Sequence, residues 1–272
     1  MATLRDRLRA LHPGASGRSV KQWLEAGRVR VNGAVVRRGD MPVSAADRVE
    51  LGAPPPPPFP APLRFVHADE QIVVVDKPPG LLTIADAGER HRTAYRLLRD
   101  WVEALGGRRI FVVHRLDRET SGLLVFARSF EAKVILQKQF QLRTPGRLYQ
   151  ARVEGVVRED EGTLTSRLVE DRSLRVRPAR DADRGREAIT RYRVLERYRD
   201  STLIELKLVT GRRGQIRAQL AALGHPIVGD RDYGSRRDPF KRVCLHATQL
   251  SFTHPDGHRL TFESRPPAAF RR

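Results

Sequence analysis

Apolar positions along this chain follow three rhythms. Residues 72–75, Ile-Val-Val-Val, form an unbroken apolar run, which is what a strand buried on both faces requires. Residues 148–157 and 201–209 alternate instead; in the second stretch Leu203, Glu205 and Lys207 oppose Ile204, Leu206 and Leu208. Helical spacing appears in three places. Residues 19–26 put Val20, Trp23 and Leu24 on one face with Gly27 as a stop. Residues 132–140 carry Val134, Ile135, Leu136 and Phe140, and residues 215–223 align Ile216, Leu220 and Leu223 ahead of Gly224. Residues 29–36 set two alternating runs around Asn32-Gly33, a hairpin signal. Many strands, few helices and no regular βαβ alternation predict an α+β fold with a mixed, mainly antiparallel sheet.

The run of five prolines at 54–58 interrupts this pattern and predicts a stiff spacer. The chain is therefore expected to divide into a small basic module (1–52), a proline-rich linker (53–62) and a body (63–272). Charge then narrows the partner. The chain has 51 Lys+Arg against 32 Asp+Glu, a formal net charge of +19. Such an excess repels itself unless a polyanion compensates it, and most of it is arginine, whose planar fork suits phosphates and stacks on bases. RNA is the expected partner. Cys244 is the sole cysteine, so an internal disulfide and a Cys-rich metal site are excluded. The first residues lack a long apolar run and no stretch approaches a membrane span, so a soluble, cytoplasmic protein is expected, with no seam to suggest more than a monomer.

Four blocks carry candidate chemistry: Lys77-Pro78-Pro79-Gly80-Leu81; residues 114–122, His-Arg-Leu-Asp-Arg-Glu-Thr-Ser-Gly; residues 147–155 around Tyr149; and residues 210–217, continuing through His225 to Asp230. The second places Asp117 and two arginines on a turn between apolar runs, where a rigid sheet tends to hold reactive groups. Taken singly each residue has a plainer role. Asp117 suits a turn anchor, Tyr149 a strand-packing aromatic and Arg217 a solvated or ion-paired arginine. His114 has no second His or Cys at metal spacing, and His225 before Pro226 reads as a turn residue.

Taken in order, the blocks strongly resemble the RluA-type pseudouridine synthases across residues 63–265, through HRLDRETSGLLVFARS (114–129), YQARVEG (149–155), GREAITRYRVLE (185–196) and TGRRGQIRAQLAALGHPIVGDRDYG (210–234). Residues 17–51 resemble the alpha-L RNA-binding module of ribosomal protein S-four. The resemblance implies a pseudouridine synthase fold that isomerises uridine in RNA without cofactor or metal. It implies Asp117 as the carboxylate acting at the sugar, by nucleophilic or glycal chemistry, Tyr149 near the base, and Arg217 as the partner that keeps Asp117 ionised. Arg115 would fill the gap left by the flipped nucleotide. Lys77, with Arg28, Arg30, Arg37 and Arg38 around the hairpin, is expected to contact RNA. Large-subunit rRNA is the first expected substrate and tRNA the second. One departure stands out: the family's Thr-His in the fourth block is Arg213-Gly214 here. That change alone favours a catalytically silent RNA-binding or ribosome-assembly factor on the same scaffold. A metal-dependent nuclease would need a second acidic ligand cluster, which the sequence lacks.

Overall fold

The computed structural model describes residues 2–54, 56–86, 88–107, 109–171, 175–179 and 184–271. The chain divides into two compact units, Met1–Pro58 and Phe59–Arg272. The boundary falls inside the expected linker. Phe59 stacks edge-on against Trp101 (5.0 Å between centroids) and Phe65 (5.3 Å), so residues 59–62 belong with the body.

The first unit runs β1 (Ala2–Thr3), α1 (Leu4–Leu11), α2 (Gly17–Glu25), β2 (Val29–Val31), β3 (Ala34–Val35), β4 (Pro42–Val43) and β5 (Val49–Leu51). Thr3 and Asp6 form a reciprocal capping box on α1, and Ser16 caps α2, which therefore begins two residues before the periodicity alone suggests. Asn32 (φ 52°) and Gly33 (φ 83°) turn β2 back onto β3 in the left-handed conformation that this hairpin needs. Leu4, Leu8, Val20, Leu24, Val29, Val31 and Val43 close a small core of their own.

The body comprises β6 (Arg64–Ala68), β7 (Ile72–Lys77), α3 (Ala94–Ala104), β8 (Phe111–Val112), β9 (Ser121–Ala127), α4 (Phe130–Gln141), β10 (Gly146–Glu154), β11 (Glu161–Glu170), β12 (Val176–Pro178), β13 (Arg186–Arg197), β14 (Ser201–Leu208), α5 (Gln215–Ala222), β15 (Leu245–Thr253) and β16 (Arg259–Glu263). Single turns of 3-10 helix lie at Arg231–Tyr233 and Ala268–Arg271. One sheet follows the order β12-β11-β13-β14-β10-β15-β9-β7-β6, with β16 beside β15 and β8 beside β9. The α+β, mainly antiparallel architecture is as expected. Among the described residues its one parallel pairing is β9 with β15.

The unbroken apolar run has a direct cause. On β7, Val73 and Val75 enter one core and Ile72 and Val74 the other; on β9, Leu124 and Phe126 oppose Leu123 and Val125 in the same way. Helices α3 and α5 cover the first face through Leu98, Ile216 and Leu220, and α4 covers the second through Leu136. Strand β9, into which the 114–120 loop leads, and its neighbour β7 are thus fixed from both sides.

Candidate active site

Loop 114–120 enters from β8 and leaves into β9 at the one place where β9 and β15 run parallel. There Gly122 (φ 112°) pairs with Ala247, and a Cβ at this position would overlap the Ala247 backbone. Glycine is required on both counts.

Two groups from the first block, and Thr83 just beyond it, clamp the loop. Thr83 Oγ1 donates to the Leu116 carbonyl (2.9 Å) and accepts from the Leu116 N–H (3.1 Å). Gly80 N–H donates to the Arg118 carbonyl (2.9 Å), and Arg118 Nε returns a bond to the Gly80 carbonyl (3.2 Å). Lys77, fully buried, spends its three donors on the carbonyls of Pro78 (2.9 Å), Leu81 (2.7 Å) and Arg118 (3.1 Å). Burial pushes its pKa down to about 7, while the charges of Glu119 and Asp117 act the other way. The expectation that Lys77 contacts RNA is therefore corrected. The strand carrying it ends inside the fold, and each ammonium proton already has an acceptor.

Behind the loop lies a polar chain: Arg242 Nη2 to Ser121 Oγ (2.6 Å), Ser121 Oγ to His246 Nδ1 (2.8 Å), His246 Nε2 to Ser264 Oγ (3.0 Å) and Ser264 to Asp76 (2.7 Å). Burial lowers the His246 pKa to about 4. His114 stacks on Phe140 (4.6 Å, 16°), and its Nε2 accepts the Val125 N–H (3.2 Å), leaving the ring proton on Nδ1. Burial, aided by Arg147, lowers its pKa to about 3, so it is a neutral packing group.

Amid these satisfied groups Asp117 is the exception. Its backbone carbonyl closes the turn onto Thr120 N–H (3.1 Å), but its half-buried carboxylate makes no hydrogen bond or ion pair among the described residues. A turn-anchoring aspartate would cap a backbone N–H. This carboxylate instead faces a cavity of about 280 Å³ shared with Tyr149, Arg147, Arg217 and Ile216. Tyr149 comes from β10, beside a register shift against β15. It is almost fully buried, which raises its phenol pKa, and the Asp117 charge raises it further while Arg147 opposes. The phenol is neutral at physiological pH, a stacking and hydrogen-bonding surface.

Arg147, on the same strand, went unremarked as a functional residue in the sequence. Its guanidinium lies 5.6 Å from the Phe140 ring centroid, and the missing side chain of Gly211 leaves it room. Its Nε is buried with no hydrogen-bond partner. The signal was available: positions 147 and 149 share a strand face.

The fourth block is organised by two buried glutamines. Gln215 accepts from Thr210 Oγ1 (2.9 Å) and Arg212 N–H (3.0 Å) and donates to Thr190 (2.9 Å) and the Ile189 carbonyl (3.1 Å). Gln219 ties Thr190 to the β11 and β13 backbones. Arg217 is held between them on α5, but its fork closes on Asp230, with Nε and Nη2 each 2.6 Å from a carboxylate oxygen; Nη2 also reaches Asp232 (3.2 Å). The expected direct pairing with Asp117 is not formed. Asp230 is 1% exposed, and a buried carboxylate requires the bidentate partner more than a half-exposed one does. Burial works against the Arg217 charge, yet the bonds to Asp230 and the nearby charge of Asp117 hold its pKa above the ordinary arginine value. Asp117 thus acts on Arg217 through space.

The departing residues are accommodated. Gly214 caps α5 at φ 57°, where a Cβ would crowd the Tyr233 hydroxyl, and Arg213 pairs with Glu170 (2.6 Å). Arg115 is exposed at the rim, where a wider groove of about 660 Å³ adds Arg118, Arg175 and Arg213 around the same Asp117.

Comparisons with known proteins identify the family and the fold. Residues 71–222 match the model for RNA pseudouridylate synthase. The chain belongs to the RNA pseudouridylate synthase family. Residues 4–49 match the S4 domain. Among curated relatives, an uncharacterized RNA pseudouridine synthase of Aquifex aeolicus is 33% identical, covering 96% of this chain and 89% of its own length. Ribosomal large subunit pseudouridine synthase D of Pseudomonas aeruginosa is 37% identical over 96% of this chain and 87% of its own. The dual-specificity RNA pseudouridine synthase RluA of Pasteurella multocida is 39% identical over 79% and 96%. Human RNA pseudouridylate synthase domain containing 4 shares the fold, with a TM-score of 0.65 at 23% identity over 76% of this chain and 90% of that one.

The S4 domain holds the other expected RNA contacts. Arg30, Arg37 and Arg38 are exposed; Arg38 is paired with Asp40 (3.0 Å), and Arg30 donates to the Gly33 carbonyl (2.9 Å). Arg28 is half-buried, donates to the Gly52 carbonyl (3.0 Å) and lies 5.7 Å from the Trp23 ring centroid. These four lie in the first unit, and Asp117, Tyr149, Arg147 and Arg217 share one cavity in the second.

Proposed function

We propose that this chain is a cytoplasmic, monomeric enzyme that isomerises specific uridines of large-subunit ribosomal RNA to pseudouridine, with Asp117 as its catalytic group. The observation that carries this reading is the unpaired Asp117 carboxylate facing a cavity with Tyr149 and Arg217, in a loop whose backbone is tied down on either side of it at Leu116 and Arg118. The names of relatives such as the Pseudomonas aeruginosa enzyme support the choice of rRNA. That no described helix is long and apolar enough to cross a membrane is in keeping with the location.

The geometry supports a division of labour. The glycosidic bond must break and the uracil ring reattach through carbon five. A carboxylate at the sugar serves as nucleophile or as base at the ribose, and the surrounding residues support both courses. Tyr149, kept neutral by burial, offers a face for the detached ring and a hydroxyl toward it. Arg217, fixed by Asp230, sets a positive charge near Asp117, and its Nη1 makes no hydrogen bond among the described residues. Arg115 at the rim suits the space that a flipped nucleotide vacates. Arg147, with its unpartnered Nε, supplies a cation for a phosphate or carbonyl oxygen of that nucleotide.

Large-subunit rRNA tritiated at uracil carbon five provides the test. Incubation with the protein is expected to release tritium to water, and Asp117→Asn to abolish release without changing the melting temperature. Equal release by that variant overturns the role of Asp117. No release from rRNA, with release from tRNA, overturns the substrate alone.

A further inference from the structure

A second cluster of ligating side chains lies at the opposite end of β15 from the Asp117 loop. Strand β15 meets that loop at His246 and turns into β16 through residues 254–258, His-Pro-Asp-Gly-His. Across this nine-residue strand the separation is roughly 25 Å. Here His254, Asp256 and His258 bring one ligand atom each within 4.8 Å of one another, the one such trio of His, Cys, Asp or Glu among the described residues.

The turn is preorganised. His254 N–H donates to the His258 carbonyl (2.8 Å), Gly257 N–H to the His254 carbonyl (2.8 Å), and Gly257 takes φ 106°. The two imidazoles consequently stack, with centroids 4.8 Å apart and planes 28° apart. Both aim Nδ1 at the same carboxylate oxygen: Asp256 Oδ1 is 2.7 Å from His254 Nδ1 and 2.5 Å from His258 Nδ1. At these distances each Nδ1 donates a proton to the carboxylate oxygen, and a metal would take the place of those protons, the Asp256 side chain moving back to admit it.

An independent observation concerns the other nitrogen of His254. The residue is 5% exposed, and its buried Nε2 makes no hydrogen bond. Asp69 Oδ2 stands 3.3 Å behind it. Asp69 is itself held by the N–H groups of Gln71 and Ile72 (2.8 Å each) and by His67 (2.7 Å). An imidazole backed by a carboxylate on one nitrogen and presenting the other to a concave turn is the arrangement by which proteins orient a histidine toward a metal.

We propose that the 254–258 turn binds a borderline divalent cation of the zinc class through Nδ1 of His254, a carboxylate oxygen of Asp256 and Nδ1 of His258, with Asp69 orienting His254. Two imidazole nitrogens and one carboxylate oxygen select zinc, cobalt or nickel over magnesium or calcium, which prefer all-oxygen sets. Asp256 and His258 are exposed on one side, so water completes the coordination. Bound metal would lock the β15–β16 turn, whose His254 already abuts Asp69 of the β6–β7 turn, and leave the Asp117 cavity untouched, so the site is structural.

The full chain, stripped with chelator, is titrated with zinc chloride by calorimetry and with cobalt chloride by visible absorption. One equivalent is expected to bind, cobalt to give the intense bands of a four-coordinate site, and zinc to raise the melting temperature. His258→Ala and Asp256→Asn alter exposed side chains and so retain the fold; each is expected to weaken binding by about tenfold or more. His91→Ala, outside the turn, should change nothing. Absence of zinc binding at millimolar metal, or binding that survives the His258→Ala/Asp256→Asn double variant, overturns the proposal and leaves a hydrogen-bonded turn.

Discussion

The two units of this chain use arginine in opposite ways. In the S4 domain Arg30, Arg37 and Arg38 stand exposed on a hairpin, tied at most to their own strand or to a neighbour such as Asp40. In the body Arg217 is locked by a buried carboxylate, and Arg147 lines the cavity with its Nε buried and unpaired. The first arrangement supplies long-range attraction that salt screens; the second supplies charge at a fixed place, screened much less. The contrast separates holding RNA from acting on it, and each side of it can be broken separately.

Arg147→Ala should have the largest effect on the cavity side after the loss of Asp117. Removing a charged hydrogen-bond partner of the substrate from a desolvated site costs about 10- to 100-fold in kcat/KM. Arg147→Lys should recover part of it, having charge without the fork. Steady-state tritium release across rRNA concentrations reads both. Unchanged kinetics in the alanine variant would mean that the unpaired Nε faces nothing of consequence.

Lys77→Met comes next. It strands the Pro78 and Leu81 carbonyls and takes one of two donors from the Arg118 carbonyl while removing a buried ammonium, so the net loss of stability is about 2 kcal/mol. Because one of those carbonyls belongs to Arg118, next to Asp117, kcat should fall more than KM rises. Urea unfolding and turnover distinguish this from an RNA contact, whose loss would raise KM at constant stability.

Lys77 also marks where the sequence ceased to be legible. Lys77 was expected to contact RNA; only the return of Leu81 and Arg118 around it completes the three carbonyl acceptors that Pro78 begins. Arg217 taught the same lesson, since Asp230 lies thirteen residues further on and claims its fork only once the Arg231–Tyr233 turn has formed. Local features were plain: the continuous run of β7, the Asn-Gly hairpin, and the helices of 19–26, 132–140 and 215–223, whose starts shift where Ser16 and Ser129 cap them. Helix α3 passed unremarked, although Ala94, Leu98 and Val102 line its buried face at helical spacing. Strand β11 alternates exposed with half-buried residues and fully buries only Leu168, so no apolar pattern announced it. Pairwise polar contacts between distant segments have no sequence period, and these make up the site.

Removing residues 1–58 tests the other side of the comparison. Each unit has its own hydrophobic core, so residues 59–272 should remain folded. Loss of the exposed arginines is expected to weaken rRNA binding by about tenfold and to flatten its dependence on salt, with kcat at saturating RNA unchanged. An altered kcat would show that the S4 domain shapes the cavity as well as holding the RNA.

Acid is the gentlest way to part the units, because they differ in buried histidine. In the body, burial lowers His246 to about 4 and His114 to about 3, against an ordinary value near 6.5. Between those values the unfolded chain takes up protons that the folded body refuses. Stability is therefore highest above about pH 6.5 and falls as the pH drops toward 4, by a few kcal/mol. In the S4 domain the groups held away from their ordinary values are carboxylates: hydrogen bonds keep Asp6, Asp40 and Asp47 low, so their contribution is lost only below about pH 4. Thermal melts from pH 7 to 4 should therefore show the body transition moving down while the S4 transition stays nearly still. His246→Gln should lessen the slope of the body transition, because glutamine can occupy the Ser121–Ser264 bridge without titrating. A body transition that does not move with pH would mean that the buried imidazoles accept their protons inside the fold, and the polar chain behind the loop would then be a charged one.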